Sequence, residues 1–169
     1  MTTTNDQPEF LWYTPDNLIL AIQEVFYTGI DLDPASDPVA NERVRAREYF
    51  ILEDNALDRS WDADTLYCCP PFSLRGEFAE HLGLEYTRGN VGEALFLMVA
   101  ETEASWAQDL LNLSDGVCFL FGETVYYDPT RRGPAEIPAP QAQMMVYLGP
   151  HGEEFAQVFQ RYGTCLVPA

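Results

Sequence analysis

Four short stretches of the 169-residue chain hold residue types that bind or react. Asp31 and Asp33 close the apolar run Ile30–Leu32 and enter Pro34-Ala35-Ser36. Carboxylates at the end of a buried strand can accept hydrogen bonds from an ammonium group or a ribose hydroxyl. The small residues that follow make a turn tight enough for backbone to approach a ligand closely, although the same residues also suit a plain strand-to-helix cap. A second stretch, Cys69-Pro70-Pro71-Phe72, presents a thiol. As a thiol it is a weak hydrogen-bond acceptor, and as a thiolate it is a nucleophile. Glu53-Asp54-Asn55-Ala56-Leu57, followed by Trp61, and Trp12-Tyr13-Thr14-Pro15 complete the set.

The elements that must position these stretches alternate between helix and strand. Thr14-Pro15 reads as an N-cap with proline in the first helical position, after which Leu18, Ile22, Val25 and Phe26 share one face. Gly29 ends that helix. Asp37-Pro38 opens a second one, with Arg43 and Arg47 four apart. Tyr49–Leu52 and Leu66–Cys69 read as strands, and Ala94–Ala100 is an apolar run suited to a strand buried on both faces. Helices are expected over Gly76–Arg88, Glu103–Leu113 and Gly152–Arg161. Further strands fit Gly116–Phe121, Val125–Tyr127, Gln143–Leu148 and Thr164–Val167. Phe96, Met98, Trp106, Phe119 and Tyr147 suit the core. The alternation argues for an α/β fold, a mostly parallel sheet with helices on both faces. Such folds place ligands at the carboxyl ends of strands, here just after Leu32, Leu52, Cys69 and Ala100.

Length and composition fit one domain over residues 1–169. The polar start and the lack of a long apolar run imply a soluble, cytoplasmic protein without a signal peptide or membrane span. Asp128–Gln141 carries four prolines, at 129, 134, 138 and 140, and reads as a mobile loop. Cys68, Cys69, Cys118 and Cys165 lack the spacing of a zinc site, and His81 and His151 offer no catalytic partner, so no metal is expected. The formal net charge is −18, and all nine bases are arginine. Such acidity fits adaptation to high salt, where self-repulsion is screened within about 3 Å at 1 M. The loss of every lysine favours that reading over a protein that avoids or imitates DNA.

In their order and spacing the four stretches resemble the phage-type DNA N6-adenine methyltransferase family. The resemblance continues through Ala100–Trp106, Val117–Gly122, Val146–Pro150 and Phe155–Phe159, and spans about residues 10 to 166. It implies a Rossmann-like, class I S-adenosyl-L-methionine (SAM)-dependent methyltransferase. Asp31, Asp33, Pro34, Ala35, Ser36 and Asp54 would bind SAM, with Trp12, Thr14 and Pro15 closing over it. Asp54 would accept from the adenine amine of SAM. The familiar glycine-rich SAM loop is absent, as it is in the family, which uses Asp-Pro-Ala-Ser at this place.

The resemblance makes Cys69, Pro70, Pro71 and Phe72 the catalytic group. The exocyclic amine of adenine is a poor nucleophile because its lone pair is delocalised. Related enzymes carry Asp, Asn or Ser before Pro-Pro-Tyr/Phe. That side chain and the next proline carbonyl each accept one amino hydrogen, while the aromatic ring stacks on the flipped base. Cys69 departs from this pattern and leaves three readings: a slower adenine enzyme, a degenerate cofactor-binding relative, or a nucleophile toward C6 of a pyrimidine. Family members also usually carry arginine where this chain has Glu101 and Glu123. Arg75, Arg88, Arg131 and Arg132 then remain as candidates for contact with double-stranded DNA, with Arg131 and Arg132 the preferred pair. The implied setting is viral or proviral DNA, protected from restriction in the host cytoplasm. The rival reading is a binding or DNA-mimic protein on the same scaffold.

Overall fold

The computed structural model describes residues 13–169. The strands are β1 (Leu32–Asp33), β2 (Glu48–Tyr49), β3 (Ala63–Cys68), β4 (Val91–Val99), β5 (Gly116–Leu120), β6 (Tyr127–Asp128), β7 (Gly133–Pro134), β8 (Gln143–Leu148) and β9 (Gly163–Leu166). The helices are α1 (Asp16–Val25), α2 (Pro38–Val44), α3 (Arg75–Thr87), α4 (Ser105–Leu113) and α5 (Gly152–Phe159). Seven strands form one sheet in the order β2-β1-β3-β4-β8-β5-β9, and β6 and β7 form a separate hairpin. The pairings from β2 to β4 are parallel. Strand β8 is antiparallel to both β4 and β5, which therefore share a direction, and β9 is antiparallel to β5. The sheet is thus mostly parallel, in the expected α/β class.

Strand alternation divides the core into two layers. Ala94, Phe96 and Met98 of β4, with Met144, Val146 and Leu148 of β8, pack against Phe78, Ala79 and Leu82 of α3 and Ala107 and Leu110 of α4. Leu95, Leu97, Met145 and Tyr147 face the opposite layer, against Leu18 and Ile22 of α1, Val44 of α2 and Phe155 and Phe159 of α5. Helices therefore cover both faces, and β4 and β8 are buried on both sides.

Several local expectations shift. Thr14 does not cap α1: Pro15 is the N-cap, and the Thr14 hydroxyl is engaged with Tyr67 Oη at 2.6 Å. Asp37 does cap α2, accepting from Val39 N and Ala40 N. Helix α2 stops at Val44, with Arg45 left-handed at φ 61°, so Arg47 lies beyond it. Tyr49–Leu52 is not one strand, because β2 ends at Tyr49 and a 3-10 turn occupies Leu52–Asp54. Phe119 is 37% exposed rather than core, because β5 turns that side chain toward a surface groove beside Phe121 and Tyr162. Residues 128–141 hold the β6–β7 hairpin, and Ala139 N–H returns to Thr124 O at 2.8 Å.

Candidate active site

The loops after β1, β2 and β3 meet in one cavity of about 850 Å³. That lies toward the upper end of the roughly 300–1,000 Å³ usual for small-molecule sites. The β1 loop contributes Pro34, Ala35, Ser36 and Asp37, and the β2 side contributes Phe50, Ile51, Leu52, Glu53, Asn55 and Leu57. Cys69, Pro70, Pro71, Phe72 and Arg75 follow β3, and Leu97–Val99 come from the end of β4. Tyr126, Ala139, Pro140, Gln141 and Gln143 close the remaining wall. Of the places named from sequence, those after Leu32, Leu52 and Cys69 converge here, though Leu52 stands in a 3-10 turn, while the lining from β4 stops at Val99, short of Ala100.

The turn after β1 is stitched to its neighbour. Phe50 N–H donates to Asp33 O and Ser36 N–H to Phe50 O, each at 3.0 Å. Asp33 Oδ1 accepts from Ala35 N–H at 3.1 Å, which shapes the turn from beneath. Burial pushes the Asp33 carboxyl up to about 7, with Asp37 adding to the rise while the Ala35 N–H and the nearby Ser36 hydroxyl oppose it. Ser36 Oγ lies near enough to the Asp33 carboxyl to oppose that rise, yet it is buried and makes no hydrogen bond of normal geometry among the described residues. Such an atom costs stability unless something in the cavity satisfies it.

Asp31 does not reach the cavity. Its carboxylate takes Arg47 Nη1 on one oxygen and Thr65 N at 3.1 Å on the other. It ties the start of β1 to β3 and is not among the residues that line the cavity. Asp54 also lies off the cavity lining: Ile51 N–H at 2.9 Å and Arg59 Nη2 at 2.9 Å engage its two oxygens, which locks the 3-10 turn. Its neighbour Glu53 does line the cavity, as Asp37 does, and Glu53 is exposed and without an ion pair among the described residues. A strand running to Leu52 would have hidden this swap, and the capping geometry of Asp54 was the missed signal.

Of the Trp12–Pro15 segment, Trp12 lies outside the described residues. Tyr13, which the resemblance does not assign to the site, lines the cavity and donates its hydroxyl to Asp37 Oδ2. Backbone bonds between Tyr13 and Tyr127 fasten the segment to β6. Thr14 is buried behind the wall, and Pro15 begins α1 away from it.

Cys69, Pro70, Pro71 and Phe72 all line the cavity. The Pro70 carbonyl accepts no hydrogen bond among the described residues. Burial pushes the Cys69 thiol up to about 12, helped by Asp33, against the hydrogen bonds of Thr14, Tyr126 and Tyr67. The group is therefore a neutral thiol near neutral pH, which counts against the nucleophile reading. Tyr126 Oη also donates to Gln143 Oε1 at 3.0 Å, so a polar cluster backs the thiol.

Phe72 is 44% exposed at the cavity wall. Arg75 lines the cavity too, but Glu101 holds it in a fork, Nε–Oε2 2.6 Å and Nη2–Oε1 2.8 Å. Arg131 and Arg132 sit at the tip of the β6–β7 hairpin, off the cavity and exposed, and Arg131 is paired with Glu136. Among the described residues no helix is long and apolar enough to cross a membrane.

The family model for DNA N-6-adenine-methyltransferase (Dam) matches residues 1–161. No curated protein matches the chain. Among solved structures, the chain is similar to a precorrin-8W decarboxylase of Methanobacterium thermoautotrophicum, at 14% identity and a TM-score of 0.46, over 79% of this chain and 89% of that one.

Proposed function

The chain belongs to the DNA N-6-adenine-methyltransferase (Dam) family, and on that premise we propose that its cavity transfers the methyl group of SAM to the N6 amine of adenine in DNA. The observation that carries this reading is the joint lining of one cavity by the Pro34–Asp37 turn and by Cys69-Pro70-Pro71-Phe72. The residues present fit SAM. Ser36 offers a buried hydroxyl in want of a partner, Glu53 an unpaired carboxylate, and Ile51, Leu52 and Leu57 an apolar wall. Ser36 and the turn around it would hold the amino-acid end, and Glu53 with Asn55 the nucleoside. When bound, SAM supplies an activated methyl on a sulfonium.

The chain's own residues do the rest. The Pro70 carbonyl accepts one hydrogen of the target amine, which localises its lone pair. The Phe72 ring stacks on a base flipped out of a duplex. Cys69 stands where the second acceptor is needed, and as a neutral thiol it accepts weakly. The account therefore makes this a slow adenine enzyme. The exposed hairpin arginines, Arg131 and Arg132, meet phosphates of the DNA outside the cavity. Arg131's exposed ion pair with Glu136 is worth at most about 1 kcal/mol and is readily exchanged. The proposal extends to a viral or proviral setting in the host cytoplasm, with protection from restriction as the purpose. High-salt adaptation accounts for the charge of −18. The rival binding-protein reading gains no specific observation from the site.

Equilibrium binding tests the cofactor half of the proposal. SAM should bind the wild type, and Ser36→Ala and Glu53→Gln should each weaken binding by about 3- to 10-fold, the worth of one hydrogen bond. No binding of SAM at any KCl concentration would overturn it.

A further inference from the structure

Arg75 lies against the Phe72 ring and is held there by several contacts. It opens α3, and Glu101 grips its guanidinium through two hydrogen bonds. Its Nη1 donates to the Phe72 carbonyl. Its Cζ stands 3.9 Å from the Phe72 ring centroid and 5.9 Å from that of Trp106. Trp106 comes this close because residue 76 is glycine: a Cβ there would lie 3.1 Å from Trp106 Cδ1. Both members of the ion pair are largely shielded, at 23% and 26% side-chain exposure.

Two things follow from this arrangement. The positive charge of Arg75 is matched at contact by Glu101, so little of it is left to attract phosphate. One face of Phe72 and its backbone carbonyl are both fixed, which leaves the other ring face for a ligand. We propose that Arg75, anchored by Glu101, is a positioning residue that presents the Phe72 ring to the target base, and is not a DNA phosphate contact. This rests on the reading of Phe72 as the base-stacking residue.

The test uses the full chain, unmethylated plasmid DNA and the variants Arg75→Met and Glu101→Gln, with two readouts. One is the slope of log binding constant against log KCl concentration. The other is kcat and KM for methyl transfer. The expected result is an unchanged slope for both variants and a kcat about 10- to 100-fold lower, the usual cost of misplacing a group in the site, with KM for DNA little altered. A phosphate contact would behave otherwise. Arg75→Met would then reduce the slope by about one unit, and Glu101→Gln, by releasing the charge, would tighten DNA binding. Either result overturns the inference. Glu101→Gln keeps the test alive should Arg75→Met fold poorly. A wild type that binds DNA but transfers no methyl sinks the proposed function and with it the positioning role, and the two slopes still decide whether Arg75 is a phosphate contact. A wild type that binds no DNA at any salt overturns both.

Discussion

Replacing Asp33 by Asn should stabilise the unliganded protein, and increasingly so as pH rises. The Asp33 carboxyl titrates at about 7 in the fold against 3.8 for the unperturbed group, chiefly because it is buried. The folded state therefore holds a proton that the unfolded chain gives up. Stability is lost as pH climbs from about 4 through 7. At 1.36 kcal/mol per pKa unit the full cost is about 4 kcal/mol by pH 8, and under about 2 kcal/mol at pH 5. Asn keeps an oxygen for the Ala35 N–H but has no charge to bury. The stability gain of Asp33→Asn over wild type should thus be about 2–3 kcal/mol larger at pH 8 than at pH 5. Urea unfolding at the two pH values, in constant multi-molar KCl, measures it, and the difference between the proteins cancels the other titrating groups. SAM, which carries positive charge, should stabilise the wild type more than the variant at pH 8. A gain that does not grow with pH, or a variant weakened most at pH 8, would refute the assignment of a buried, strained carboxyl beneath the turn.

Cys69→Asn should raise kcat by about 10- to 100-fold, because an amide oxygen recovers roughly 1.5–3 kcal/mol of transition-state stabilisation that the thiol cannot give. Asn is preferred to Asp because a second carboxylate beside Asp33 would be buried uncompensated. Glu85 is a structural counterpart. Burial works to raise its pKa, yet hydrogen bonds from Asn90, Trp61 N–H, Ser60 and Arg88 win and hold it at about 2. Glu85→Ala should cost about 2–4 kcal/mol, since it strands a buried N–H. The loss should be full above the unfolded value of 4.5 and shrink as pH falls toward 2, as acid unfolding at several pH values would show. Neutralising Arg131 and Arg132 together should raise KM for DNA and lower the salt slope of binding by about two units, and an unchanged slope would remove the hairpin from the DNA interface.

Elements with a strong periodic pattern were legible from sequence. Strand β8 falls on Gln143–Leu148 as expected, and β4 and α3 lie within a few residues of their expected limits, because long apolar runs and helical stripes leave few alternatives. The cavity's position was legible too, since strand ends in an α/β sheet define it. What was hidden lay in short polar residues with more than one local partner. Thr14 could cap α1 or meet Tyr67, and only the tertiary fold brings Tyr67 within 2.6 Å. Asp31, Asp33 and Asp54 are alike on paper. Arg47, a buried turn and Arg59 respectively give each carboxylate a structural task, while Asp37 and Glu53 line the cavity. Arg75 looked available for phosphate until Glu101, 26 residues on, was found gripping it. Phe119 misled because a strand near the sheet edge buries its alternate side chains incompletely.

The central claim is that this cavity moves a methyl group from SAM to adenine. Wild-type protein should be incubated with methyl-labelled SAM and unmethylated DNA, in dilute buffer and in multi-molar KCl, and the DNA digested to nucleosides. The account predicts slow incorporation, with the label in N6-methyladenine and the higher rate in KCl. Label on a pyrimidine, or none from the wild type at any salt, would contradict it.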